Sequence, residues 1–274
     1  THYFTDIHDQ IGHFQDQTRG QIRSDDYEAL SLLPVTRSQI AEYLAQVLGW
    51  TEAEVEQFLT SIHDLWDLAS RPYLLGQLAE VLPGLAARHE LGERIVAASV
   101  YRELATKWLV RDRDKHEIAA DDKPLIMAYV AYRLWDSGGR SADIRMLKRW
   151  LADFIQAEGL QFHYAGKAPE LLTNDLHTAT FLVRHDEGDR GTFRFAHSSL
   201  AEYLLAAWLM HCLEQNQPAG WAIPVPGRET LEFLSQLLET HRERPQMVRT
   251  LTSWRTAYRP QVSETIFAFG LHAH

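Results

Sequence analysis

Two runs of residues combine side chains able to meet a ligand with the signals that start a helix. The first is Asp64-Leu65-Trp66-Asp67-Leu68-Ala69-Ser70-Arg71-Pro72-Tyr73-Leu74-Leu75. Pro72 suits the first turn of a helix, where its missing N–H leaves nothing unpaired, and the polar start exposes the proline ring beside Arg71 as a flat apolar contact. The second is Phe193-Arg194-Phe195-Ala196-His197-Ser198-Ser199-Leu200-Ala201-Glu202-Tyr203-Leu204, where a strand-like run gives way to a helix at His197. An imidazole there lies beside free N–H groups and the positive end of the helix dipole, a place suited to an anion such as a phosphate. On residue type alone, a histidine at such a junction serves structure more often than function.

Other chemistries lack their residues. A phosphate-binding loop needs a glycine-rich turn, a lysine and a hydroxyl for magnesium. The Gly166-Lys167 pair is followed by Ala168 and has Gln161 where the first glycine would stand. The chain by itself is therefore expected not to hydrolyse a nucleotide. The nucleophile elbow, the HExxH zinc motif and the EF-hand loop are absent too. Of fourteen histidines, His177, His185 and His197 fall near one another, but no spacing rule makes them metal ligands. The single cysteine, Cys212, has no disulfide or zinc partner and reads as a buried apolar filler on a helix.

Charge and hydropathy narrow the class further. A net charge of -10 repels a phosphate backbone, so nucleic-acid binding would need a local basic patch. Arg111, Arg113 and Lys115 alternate with Asp112, Asp114 and His116 and read as a solvated helix end. No apolar run is long enough to span a membrane and no leader pattern opens the chain, so a cytoplasmic protein without a membrane partner is expected. The eight tryptophans are spaced singly along helices, as core residues are.

Stepping along the chain, residues 1–33 show no sustained period. Capping-box patterns at Thr36 with Gln39 and Thr51 with Glu54 predict two helices, the first closed by Gly49. A third starts at Pro72 and is expected to end at Pro83-Gly84; a fourth covers about Gly92 to Arg111, and Asp121 caps a fifth running to Asp136. A capped helix over Ser141 to Ala157 leads to two strand-like runs, Thr180 to His185 and Thr192 to Ala196, around a polar turn. The first run is expected to turn Phe181 and Val183 away from Leu182, the second to set Phe193 and Phe195 on one face. A helix from Ser198 to Leu213 follows, then a helical remainder. The fold expected is mainly α, with a helical bundle, a winged-helix domain with a small β-hairpin, and a C-terminal helical region. The boundaries read 1–33, 34–137, 138–213 and 214–274.

The Arg71-Pro72 run and the Phe195-x-His197-x-Ser199-x-x-Glu202-Tyr203 run, in this order and about 120 residues apart, resemble the downstream half of NACHT modules. These are switch ATPases of the signal-transduction class, found in animal NLR immune receptors and bacterial antiphage proteins. The opening Thr1-His2-Tyr3-Phe4 is similar to the residues that follow the sensor 1 arginine of that family, so 1–33 is expected to be a remnant of a nucleotide-binding core whose phosphate and magnesium machinery precedes it. The resemblance implies that Pro72, next to Arg71, packs on adenine and that His197 touches the β-phosphate of ADP in a closed resting state. It further implies ADP/ATP as cofactor, with magnesium held by the rest of the polypeptide, an upstream P-loop core as partner, homo-oligomerisation on activation and a role in innate or antiviral defence. Two other readings stand beside it. One is a winged-helix DNA-binding regulator using Arg145, Lys148 and Arg149; the other is a helical scaffold for protein partners.

Overall fold

The threonines that open the first two helices satisfy the orphan N–H groups as their spacing predicts. A computed structural model describes residues 33–62, 65–90, 92, 95–110, 117–167, 172, 175, 181–185, 192–257 and 260–272. The core remnant expected over 1–33 and the basic run at 111–115 therefore lie essentially outside the described residues. In α1 (Arg37–Leu48) the Thr36 hydroxyl accepts from the Gln39 N–H, while the Gln39 side chain accepts from the Thr36 N–H at 2.9 Å. Gly49, at φ 68°, closes the helix in the left-handed conformation. In α2 (Glu52–Ser61) the Glu54 carboxylate accepts from both the N–H and the hydroxyl of Thr51, which holds its pKa below the ordinary carboxylate value.

The short α3 (Leu65–Ala69) leads into α4 (Pro72–Glu90), with Pro72 in its first turn. This helix does not end at Pro83-Gly84 as the sequence suggests but runs through both to Glu90. A proline removes one N–H, and Pro83 is exposed, whereas Leu82 and Leu85 on either side are buried at 1% exposure. Burial of that apolar face outweighs the lost hydrogen bond. The next helix, α5 (Ala97–Val110), begins five residues later than expected. The residue before α6 (Lys123–Asp136) is Asp122, not Asp121. Its carboxylate accepts from the Tyr164 hydroxyl instead of capping the helix.

The segment expected to be helical from Ser141 starts as β1 (Ala142–Asp143) before α7 (Ile144–Ala157). Asp143 is the true cap, accepting from the Met146 N–H at 2.8 Å. Two further strands, β2 (Leu182–His185) and β3 (Thr192–Phe195), pair antiparallel with Leu182 opposite Phe195. β1 adds to the far edge of β3, giving the order β1-β3-β2. Phe193 and Phe195 are buried together as their alternation predicts. Phe181 and Leu182 are both buried, against the expected alternation, because Phe181 precedes the ladder and packs edge-on against Trp108 at 4.4 Å.

The chain then forms α8 (Ser198–Glu214), a 3-10 turn (Pro218–Trp221), α9 (Arg228–Glu239), α10 (Arg244–Ala257) and α11 (Pro260–His272). The protein is mainly α with a small three-stranded antiparallel sheet. α8 is the central element, packing most extensively on α6 and α9. It has apolar residues around its whole circumference, as a helix enclosed on all sides must. The buried apolar residues form one continuous cluster from Ile40 to Phe269.

The end of α8 is fastened as tightly as its middle. Asn216 takes the left-handed conformation at φ 54°, and the Gln217 N–H reaches back to the Cys212 carbonyl at 2.7 Å, a Schellman closure. The Asn216 carboxamide oxygen accepts from Trp254 Nε1 at 3.0 Å, tying this end to α10. Gly220 passes so close to Cys212 that an added Cβ would meet the sulfur at 2.3 Å. Cys212 is fully buried, as expected of an apolar filler, and burial pushes its thiol pKa up to about 12. Gly220→Ala should therefore lower stability by about 1–3 kcal/mol through overpacking, and by less in a Cys212→Ala background. Urea denaturation of the two single variants and the double variant reads this directly.

Candidate functional site

Both runs of residues singled out in the sequence meet at one place, between the start of α4 and the start of α8. Arg71, half-buried just before α4, donates from Nη1 to the carbonyl oxygen of Ala196 at 2.7 Å, across 125 residues of sequence. His197 caps α8 and is buried, with 1% of its side chain exposed. Its Nε2 lies 2.7 Å from Asp67 Oδ2, across 130 residues. Pro72 is exposed at the first position of α4, next to these contacts.

The protonation pattern around His197 follows from its partners. The Ser199 backbone N–H can only donate, and it lies 3.2 Å from Nδ1. Nδ1 is therefore the bare nitrogen, and in the neutral ring Nε2 carries the hydrogen and donates it to Asp67. The Ser199 hydroxyl lies 2.5 Å from the same Nδ1 and donates to it. Its oxygen in turn accepts from the Tyr101 hydroxyl at 2.8 Å. The result is a chain of donors running one way, from Tyr101 through Ser199 and His197 to Asp67. It begins at a fully buried phenol and ends at a carboxylate whose side chain is 62% exposed.

Hydroxyl, imidazole and carboxylate in series form the constellation of a nucleophilic serine. Burial decides against that role here. Ser199 has 0% exposure, so no acyl group can reach its oxygen. The series instead supplies acceptors and donors to polar groups that the helix start has taken from water. Tyr203, the last but one residue of the second run, is also structural: it packs against Tyr101 and Phe233 at centroid distances of 5.9 and 5.7 Å, and burial raises its phenol pKa.

The structure thus brings Arg71, Pro72 and His197 to one locality, but it turns the histidine differently from the expectation. The imidazole does not stand free beside open N–H groups. It is itself the cap, and both of its nitrogens have partners within the chain. The physical reason is that a helix start buried against the core needs an acceptor, and Nδ1 is the group within reach. Sequence reasoning did not single out Asp67, Ser199 or Tyr101 as members of the site. Asp67 and Ser199 were visible inside the two runs; Tyr101, on α5, carries no local signal.

His177 and the side chain of His185 lie outside the described residues, so convergence of the three histidines has no description. Among the described residues, no group of three or more His, Cys, Asp or Glu is placed to hold a metal ion. Arg145 of α7 is exposed and lies 3.6 Å from Asp143, which tempers its charge. No helix of the described residues is long and apolar enough to cross a membrane. Comparison with protein-family models gives no match, and comparison with curated protein sequences gives none.

Removal of the imidazole should be costly to the fold itself. His197→Ala loses a helix cap, worth about 1 kcal/mol, and leaves the buried Ser199 hydroxyl without its acceptor, worth about 1–3 kcal/mol. Asp67→Asn keeps an acceptor for Nε2–H at an exposed position and should cost under about 1 kcal/mol. Denaturant midpoints of the two variants should therefore separate clearly; equal midpoints would contradict the donor series.

Proposed function

We propose that this chain is the helical and winged-helix regulatory part of a NACHT-type switch ATPase, completing an ADP site whose phosphate-binding loop lies elsewhere in the polypeptide. The observation that carries the reading is the meeting of two runs about 120 residues apart, tied by the Arg71–Ala196 and Asp67–His197 hydrogen bonds, with a histidine N–H donor in one and an exposed proline in the other. The order of helices and small antiparallel sheet supports it further: β1 stands between two helices and joins the hairpin's second strand, as a winged-helix unit requires.

In this reading Pro72 supplies an apolar face to adenine. His197 offers Nε2–H to an oxygen of the β-phosphate, and Asp67 holds that hydrogen when no nucleotide is present. The fit is chemical, because a carboxylate oxygen and a phosphate oxygen accept the same kind of hydrogen bond. Asp67 is mostly exposed and free to turn into water, so exchange of one anion for the other leaves the buried part of the donor series intact. Arg71, bound to the Ala196 carbonyl, sets the proline beside the strand end that carries His197. The nucleotide supplies the energy of switching through its γ-phosphate, and magnesium belongs to the core. Release of ADP would free the lid and permit homo-oligomerisation, in a cytoplasmic defence role.

The test uses the polypeptide that joins this chain to its phosphate-binding loop. ADP should co-purify with it and be recovered after denaturation. His197→Ala should lower that occupancy at least about tenfold, the loss expected for one hydrogen bond to a charged group. Asp67→Asn should retain or raise it. A folded His197→Ala protein with undiminished ADP would sink the proposal.

A further inference from the structure

Where α9 turns into α10, residues of four helices and the turn itself line an open cavity of about 550 Å³, a size that suits a small molecule. None of its lining residues belongs to the site at His197. Met210 of α8 and Met247 of α10, each 5% exposed, and the half-buried Leu237 of α9 supply its apolar lining. The charged lining comes from Arg102 on α5, Glu214 at the end of α8, and Arg242 and Glu243 in the turn before α10.

That turn is fixed by a histidine. His241 Nδ1 accepts from the Glu243 N–H at 3.1 Å, the contact that His197 makes two residues ahead to Ser199. Nε2 therefore carries the hydrogen in the neutral ring, and it stands 3.1 Å from Glu214 Oε1. Glu214 thus has a partner within the chain. Arg102, Arg242 and Glu243 differ: their side chains are exposed and make no ion pair among the described residues. Two guanidinium groups and a carboxylate share one cavity without meeting one another.

Such an arrangement selects for a ligand that bears both charges. A simple anion would satisfy the arginines but meet Glu243, and a simple amine would satisfy Glu243 but meet the arginines. A zwitterion avoids both conflicts, and having no net charge it is not repelled by a protein of net charge -10. The two methionines add adaptable apolar surface for a side chain. We infer that this cavity binds an α-amino acid with an apolar side chain. Arg102 and Arg242 take its carboxylate, Glu243 takes its ammonium group, and Met210, Leu237 and Met247 receive its side chain. The inference does not rest on the nucleotide reading.

Titration calorimetry of this chain with L-leucine, L-methionine and L-phenylalanine should show saturable binding of at least one of them at a single site. Analogues of the amino acid that binds then test each contact on the unaltered protein. For L-leucine these are isocaproate, which lacks the amine, isoamylamine, which lacks the carboxylate, and glycine, which lacks the side chain. Each should bind at least about tenfold more weakly, the loss expected for one charge-assisted hydrogen bond or one buried apolar side chain. Arg102→Gln with Arg242→Gln, and separately Glu243→Gln, should weaken binding by a similar factor with unchanged circular dichroism. The analogue series decides the matter even should a variant misfold. No binding of any of the three amino acids, a carboxylate or amine analogue that binds as tightly as its parent, or affinity unaltered in the folded variants would each overturn the inference.

Discussion

A helix that begins inside a protein must find acceptors there for its first N–H groups, and that requirement organises this molecule. The cap of α8, His197, is 3% exposed and Ser199 in its first turn is fully buried, and the helix is enclosed along most of its length. Its cap is an imidazole, which has a property the usual serine or aspartate caps lack: a second nitrogen, on the far side of the ring, that can donate. His197 uses one nitrogen to close the helix and the other to reach Asp67 on α3. The cap is thereby also a tie between two parts of the chain far apart in sequence. The direction of every hydrogen bond from Tyr101 onward follows from the single fact that the Ser199 backbone can only donate.

The other end of α8 obeys the same demand with different residues. Asn216 in the left-handed conformation lets the chain close on the last turn, and its side chain serves Trp254. Trp221 donates from Nε1 to the Leu209 carbonyl, so the 3-10 turn lies flat on the helix. Gly220 has no Cβ because the Cys212 sulfur occupies that space. α8 is thus held at its start by α3 and α5 and at its end by α10 and the 3-10 turn. A central helix fixed at both ends gives a stable reference against which an exposed element such as Asp67 can move.

That contrast gives the proposed nucleotide contact its physical content. Residues deep in the donor series are fully packed, while its terminus faces water. A ligand anion would replace a carboxylate at the solvent end without disturbing Ser199 or Tyr101.

Local rules of the chain were legible without any structure. Thr36 and Thr51 announce their helices three residues ahead of their box partners, Gly49 ends one, Phe193 and Phe195 alternate onto a buried face, and Cys212 has no partner to seek. These depend on neighbours within a few residues, so sequence by itself determines them. It also marked Arg71, Pro72 and His197 as candidates by type and position. Three-dimensional packing decided what lies beyond that range. Pro83 stays helical because Leu85 is drawn into the core, and Asp143 takes the cap from Ser141 because β1 pairs with β3. His197 turns inward because Ser199 and Asp67, on separate elements, bond its two nitrogens, and Tyr101 on a third element bonds the Ser199 hydroxyl. A hydrogen-bond partner 98 or 130 residues away leaves no periodic trace in the chain, since only the folded path brings the two within 3 Å.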